Sequence, residues 1–304
     1  MSKKILYGQT HNRVVTSRTG TVHVCGLVIT SEQKKEIQRI SKLALGKLRR
    51  EVRASSEYHW FLKDSEHTAI RLAVAESYTK YHEQLKDDSA WEVRVAVAET
   101  STKYHGTLVV DNEWLVRCAV AMYSDKYHEQ LRTDDAWQVR LVIAKASTTY
   151  HDQLVNDENW SVRVVIAKAS TTYHHILKDD MEWPVRAAVA RASAKYHDQL
   201  MNDEHWTVRL VVAEISTTYH DQLVNDEHWQ VREAVADASP AYHTTLKDDK
   251  DWRVRAAVAK ASTTYHDVLK DDEHWAVREA VNIRRSINEQ ENVIRTNTHS
   301  YSYS

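Results

Sequence analysis

Apolar positions along most of the chain recur in a block copied with a fixed step. Within residues 88–110, Val93, Ala96, Val97 and Thr100 stand at i, i+3, i+4 and i+7, the spacing of one buried helical stripe. Trp91, Val95 and Ala98 add a second stripe at i, i+4 and i+7. The predicted helix is therefore apolar around most of its circumference and is expected to be sandwiched between neighbours, with Glu92 and Glu99 looking outward. Ser101 then suits an N-cap, and Tyr104 and Leu108 share one face of a second, shorter helix. Pro240, directly after Ser239 in the equivalent place, fits the first helical position, where a missing N–H costs nothing. Pro184, directly after Trp183, means that regular helix starts no earlier than about the tryptophan. The predicted unit is a helix of about two to three turns, a corner, and a helix of about one to two turns that is partly 3₁₀.

The unit repeats every 23 residues, because Trp91, Trp114, Trp137, Trp160, Trp183, Trp206, Trp229, Trp252 and Trp275 are spaced by that step. Asp88 to Asp272, Leu85 to Leu269, Val93 to Val277 and Arg94 to Arg278 follow the same step at every rung. A degraded unit precedes them, with Thr68 in place of tryptophan but Arg71, Leu72, Ala73, Val74 and Ala75 in register and Tyr58-His59 ahead, as terminal repeats commonly read. Such a unit cannot bury its faces alone, so the expected fold class is all-α: an α-solenoid of about ten two-helix repeats. Only five Gly and two Pro in 304 residues agree with helices joined by short corners.

The ends differ in kind. Val14-Val15 and residues 22–29 flank Ser17-Arg18-Thr19-Gly20 and predict a β-hairpin. Thr30 to Gln33 matches a capping box opening an amphipathic helix with Ile37, Ile40, Leu45 and Leu48. The expected division is an N-terminal cap over residues 1–54, the array over 55–282, and a capping helix with a frayed tail over 283–304.

The run Tyr150-His-Asp-Gln-Leu154-Val-Asn-Asp157-Glu-Asn-Trp160-Ser-Val162-Arg163-Val-Val-Ile-Ala167 resembles the leucine-rich repeat variant, a bacterial relative of HEAT-type repeats, and the likeness covers residues 55–282. In that family a Leu precedes an acidic residue, then Val-Arg and an Ala/Val run. The resemblance implies alternating α and 3₁₀ helices in a right-handed superhelix. Two departures are plain: the unit is one residue shorter than the family norm, and Trp stands before Val-Arg at every full rung. The iron-sulfur cluster of one family member is not expected here, since its cysteines are missing. A fold shared with this family does not carry a function with it.

Charge narrows the function classes. Lys plus Arg (41) nearly balances Asp plus Glu (43), a net charge of -2, so no whole-molecule field for nucleic acid exists. Cys25 and Cys118 are too few for a disulfide framework, a thiolate zinc site or a cluster. No run of 18 apolar residues occurs, and the expected location is the cytoplasm of a bacterium or phage-infected cell.

The ladders are read first as structure. Every Arg from Arg94 to Arg278 has a potential carboxylate partner in its own or the adjacent unit, and Asp157, Trp160, Arg163, Asp180, Trp183 and Arg186 stand for this structural ladder. The competing reading is a groove of arginines holding phosphates. The Tyr-His pairs from Tyr58-His59 to Tyr265-His266 invite a metal reading. Neighbouring helices pack about 8–10 Å apart, whereas each ligand must come within about 2.1 Å of zinc, so rungs of one ladder rarely share an ion and no metal, cofactor or catalytic residue is assigned.

The position after Trp changes from rung to rung, from Glu92, Leu115 and Gln138 to Ala276, and is read as free of packing constraint. Eight residues after Trp stand Glu99, Met122, Lys145, Lys168, Arg191, Glu214, Asp237, Lys260 and Ile283. Lys145, Lys168 and Arg191 occupy successive rungs and are the candidate binding residues, for an acidic protein partner. The short-helix face around Glu129, Asp152 and Asp198 is the alternative. The leading expectation is a non-enzymatic protein-interaction scaffold. Nucleic-acid backbone binding comes second, and a HEAT-like enzyme acting on nucleic acid third.

Overall fold

A computed structural model describes residues 15–16, 22–23, 59–77 and 80–300. The predicted helix opening at Thr30 lies outside the described residues. Strands Val15–Thr16 and Val22–His23 pair antiparallel with Val15 opposite His23, and the rest of the predicted hairpin lies outside the described residues. The chain divides into two compact units, residues 1–166 and 167–304, the division falling inside the helix Trp160–Ala169.

Within each unit the repeat is the one the periodicity predicts. A ten-residue helix such as Trp91–Thr100 or Trp206–Ile215 begins at the tryptophan; a 3₁₀ turn such as Thr102–Tyr104 follows, then one α turn such as His105–Leu108. Pro184 lies in the first turn of Trp183–Ala192, and Pro240 opens the 3₁₀ turn Pro240–Tyr242. The serine cap is partial: Ser147 and Ser170 accept from Thr149 N–H and Thr172 N–H at 3.2 and 3.3 Å, whereas Ser101 and Ser124 make no such bond. Consecutive long helices pack side by side, with Val93, Val97, Val116 and Val120 fully buried between them in the first unit and Val208, Val212, Val254 and Val258 in the second. Each unit is a stretch of α-solenoid.

Two expectations about faces need correction. The tryptophans do not join the fully buried core: Trp160, Trp183 and Trp275 are 43%, 38% and 63% exposed, and Trp91, Trp114, Trp137, Trp206, Trp229 and Trp252 are half-buried. Each opens its helix, where the chain is still arriving from the corner, so the ring lies along an edge of the stack. Nor is the position after Trp free of packing, since Leu115 and Gln138 are buried and Glu92 is half-buried. The last long helix breaks the pattern by running without a corner from Trp275 to Ser300.

Candidate functional site

The repeated charged residues form internal clamps. Arg140 donates from Nε to Asp157 Oδ2 at 2.6 Å and from Nη2 to Oδ1 at 2.9 Å, while its Nη1 donates to the Asp134 carbonyl at 2.6 Å. The same fork joins Arg94 to Asp111 in the first unit, and Arg186 to Asp203 and Arg255 to Asp272 in the second. Each aspartate also accepts the N–H two residues on, as Asp157 does from Asn159 at 2.9 Å. One arginine thus fastens two corners of its neighbourhood with bidentate, charge-assisted geometry. The carboxylate bonds push the arginine pKa values still higher, so the pairs stay ionised. Of the remaining ladder residues, Arg163 Nη1 grips the Asp157 carbonyl at 2.6 Å, and the Asp180 carbonyl accepts from Arg186 Nη1 at 2.6 Å.

The histidine ladder has an equally local cause. A helix leaves its last carbonyls without intrahelical donors. Nε2 of His105 donates to the Ala98 carbonyl at 2.7 Å, and His82, His128, His174, His197, His220, His243 and His266 do the same to the alanine seven residues earlier. The carbonyl can only accept, which fixes the Nε2–H tautomer. The ring then meets the next rung's tyrosine edge-on, as His105 meets Tyr127 at 6.3 Å. Burial, as the largest cause, lowers the His82 and His105 pKa values. Among the described residues no three His, Cys, Asp or Glu side chains converge into a set able to hold a metal.

The candidate binding residues fare unevenly. Lys145 and Lys168 are exposed, each one residue from the end of its helix, Trp137–Ala146 and Trp160–Ala169. Arg191 is exposed too, but its Nη2 lies 3.0 Å from Glu214 Oε2, so the third cation is already partnered by the next rung. In the same unit Glu233 and Asp237 form an i, i+4 acidic pair, each held protonated to higher pH by burial, with Lys260 opposing the rise. Glu129, Asp152 and Asp198 are exposed on the short helices.

One titratable group escaped the sequence reading. Glu99, expected to look outward, is half-buried, and burial together with the Glu76 charge pushes its pKa up to about 7. The signal was present: Glu76 and Glu99 hold the same place in successive rungs. Beside the clamps, shallow grooves of about 420 and 250 Å³ run between short helices in the second unit, lined among others by Asp203 with Arg186 and by Asp226 with Arg209.

Stacked two-helix repeats of α and 3₁₀ turns define the class of fold. Among solved structures the chain is similar to one described as a leucine-rich repeat variant with a novel repetitive protein structural motif, at 23% identity and a TM-score of 0.59, covering 66% of this chain and 88% of that one. This likeness shows the fold, which is the one the residue pattern around Leu154 and Arg163 resembles. No family model and no curated protein matches the chain. Among the described residues no helix is long and apolar enough to cross a membrane.

Proposed function

We propose that the chain is a non-enzymatic, cytoplasmic protein-interaction scaffold that docks an acidic protein through its exposed rungs at Lys145 and Lys168. One observation carries the reading: the arginines and histidines that repeat are consumed by packing, whereas the eighth position after Trp, which differs, is exposed from Met122 to Ile283. The arginine ladder is clamped to aspartates, and the histidines cap helix carbonyls. The eighth position after Trp is exposed at Met122, Lys145, Lys168, Arg191, Glu214 and Asp237, and there the chemistry changes from rung to rung. Repeat proteins gain their specificity at such positions.

This argues against the nucleic-acid reading. Arginines held in bidentate pairs and nine-tenths buried are not free to neutralise phosphates, and Glu214 and Asp237 interrupt the basic run. Capture of partners by the full chain from its native host, with and without nuclease, tests the proposal. It requires protein partners that survive nuclease treatment and are released by salt; loss of all partners on nuclease treatment contradicts it.

A further inference from the structure

The clamp has two halves, and at the end of the array one of them meets no counterpart among the described residues. In three rungs of the second unit, a Trp-x-x-Arg couple on a long helix receives an Asp-Glu-His corner from the next repeat. Trp183 stacks on His205 with ring centres 4.5 Å apart and planes 5° from parallel, while Arg186 takes Asp203 at 2.6 and 2.9 Å and Glu204 at 3.2 Å. Trp206 and Arg209 receive His228, Asp226 and Glu227 in the same way, the rings at 4.2 Å and 7°. Trp252 and Arg255 receive His274, Asp272 and Glu273, the rings at 4.2 Å and 8°. The chain therefore contains the same small recognition site three times over, each copy filled by one tripeptide.

At the last rung the couple is Trp275 and Arg278. Trp275 is 63% exposed, against 38% for the covered Trp183. Arg278 Nη1 donates to the carbonyls of Asp272 and Glu273 at 2.6 and 2.9 Å, the tether used by the other arginines, so its fork is already oriented. Among the described residues no carboxylate meets Nε or Nη2. Seventeen residues on, where Arg186, Arg209, Arg232 and Arg255 find their aspartates, the sequence has Arg295, and the helix runs straight through that point instead of turning.

We infer that Trp275 and Arg278 form an open socket for an acidic turn of another protein, one presenting an Asp, preferably Asp-Glu, followed by a histidine or other flat ring two residues after the Asp. The carboxylate fills the guanidinium fork and the ring lies on the indole. A second copy of this chain fits poorly. Its Asp-Glu-His corners at 203–205, 226–228 and 272–274 are already seated on their own couples, and its first corner, Ser65-Glu66-His67, has serine where the fork needs a carboxylate. The inference does not depend on the reading of Lys145 and Lys168.

The test uses the full chain and a fluorescein-labelled peptide, acetyl-Leu-Val-Asn-Asp-Glu-His-amide, which copies residues 223–228. Fluorescence anisotropy should show saturable binding. Arg278→Gln or Trp275→Ala in the protein, and independently Asp→Asn in the peptide with the protein unaltered, should each weaken it about tenfold or more. Absence of saturation at millimolar peptide, or changes below about twofold on both sides of the contact, overturns the inference. Concentration-dependent self-association of the wild-type chain that Arg278→Gln abolishes in sedimentation velocity overturns the choice of partner, because the occupant is then a second copy.

Discussion

Asp157→Ala removes the acceptor half of a clamp and leaves the rest in place. The Asp157 side chain is 3% exposed and that of Arg140 9%, so the variant strands a guanidinium away from water and deprives it of two bonds at 2.6 and 2.9 Å. It also takes the acceptor from the Asn159 N–H. Breaking one side of a buried pair costs about 3–5 kcal/mol. Glu158, whose Oε1 lies 3.0 Å from Arg140 Nη2 but whose side chain is 81% exposed, remains as a partial substitute and places the expected loss near the lower end, about 3 kcal/mol. Glu158→Ala removes only the solvent-facing contact and should cost no more than about 0.5 kcal/mol. Urea unfolding followed by circular dichroism separates the two. A loss below about 1 kcal/mol for Asp157→Ala, or equal losses for both variants, would refute the claim that the buried fork holds adjacent repeats together.

Other expectations follow from the same geometry. The folded Glu99 pKa, about 7, lies above its ordinary 4.5, so the native state binds more protons; stability is full below 4.5 and is lost as pH rises through 7. Glu99→Gln should therefore gain up to about 3 kcal/mol over wild type at pH 8 and little at pH 4, by melting at both. His82 and His105 have the opposite sign: their folded pKa values lie below 6.5, so their contribution is present above that pH and lost below it. His105→Gln should accordingly flatten the fall in melting temperature between about pH 7 and pH 5. Trp206→Ala, which uncovers a ring stacked on His228, should cost about 2 kcal/mol and clearly more than Trp275→Ala; equal losses in urea would contradict the stacked edge. Purified protein should carry no stoichiometric zinc or iron by elemental analysis, because the ladder histidines from His82 to His266 spend Nε2 on a carbonyl.

Much of the fold was legible because the sequence copies its own solution. The constant 17 residues between each arginine and the aspartate it meets, and the constant seven between each alanine and its histidine, are distances along the sequence that become contacts when repeats stack. The faces were harder to read. Helical periodicity counts Trp91 and Val95 alike, yet only the valine is buried in the core, because the tryptophan opens the helix at the edge of the stack. Leu115 and Gln138 are buried although their position differs from rung to rung, so variation alone does not mark a surface position. The Arg191–Glu214 pair was within reach, since those residues lie one repeat apart, but a run of cations draws the eye before the acid that follows it. The Trp275–Arg278 socket is legible only by noticing that Arg295 stands where an aspartate is due.

The association rate of the captured protein partner with the full chain tests the account most directly, measured for wild type and for Lys145→Glu with Lys168→Glu at several salt concentrations. Arg191 is left intact because Glu214 already holds its guanidinium. Both lysines are exposed, so the variant should melt like wild type. The account predicts slower association and a flatter salt dependence. Unchanged rate and salt response in a variant that melts like wild type would contradict it and place the docking surface elsewhere.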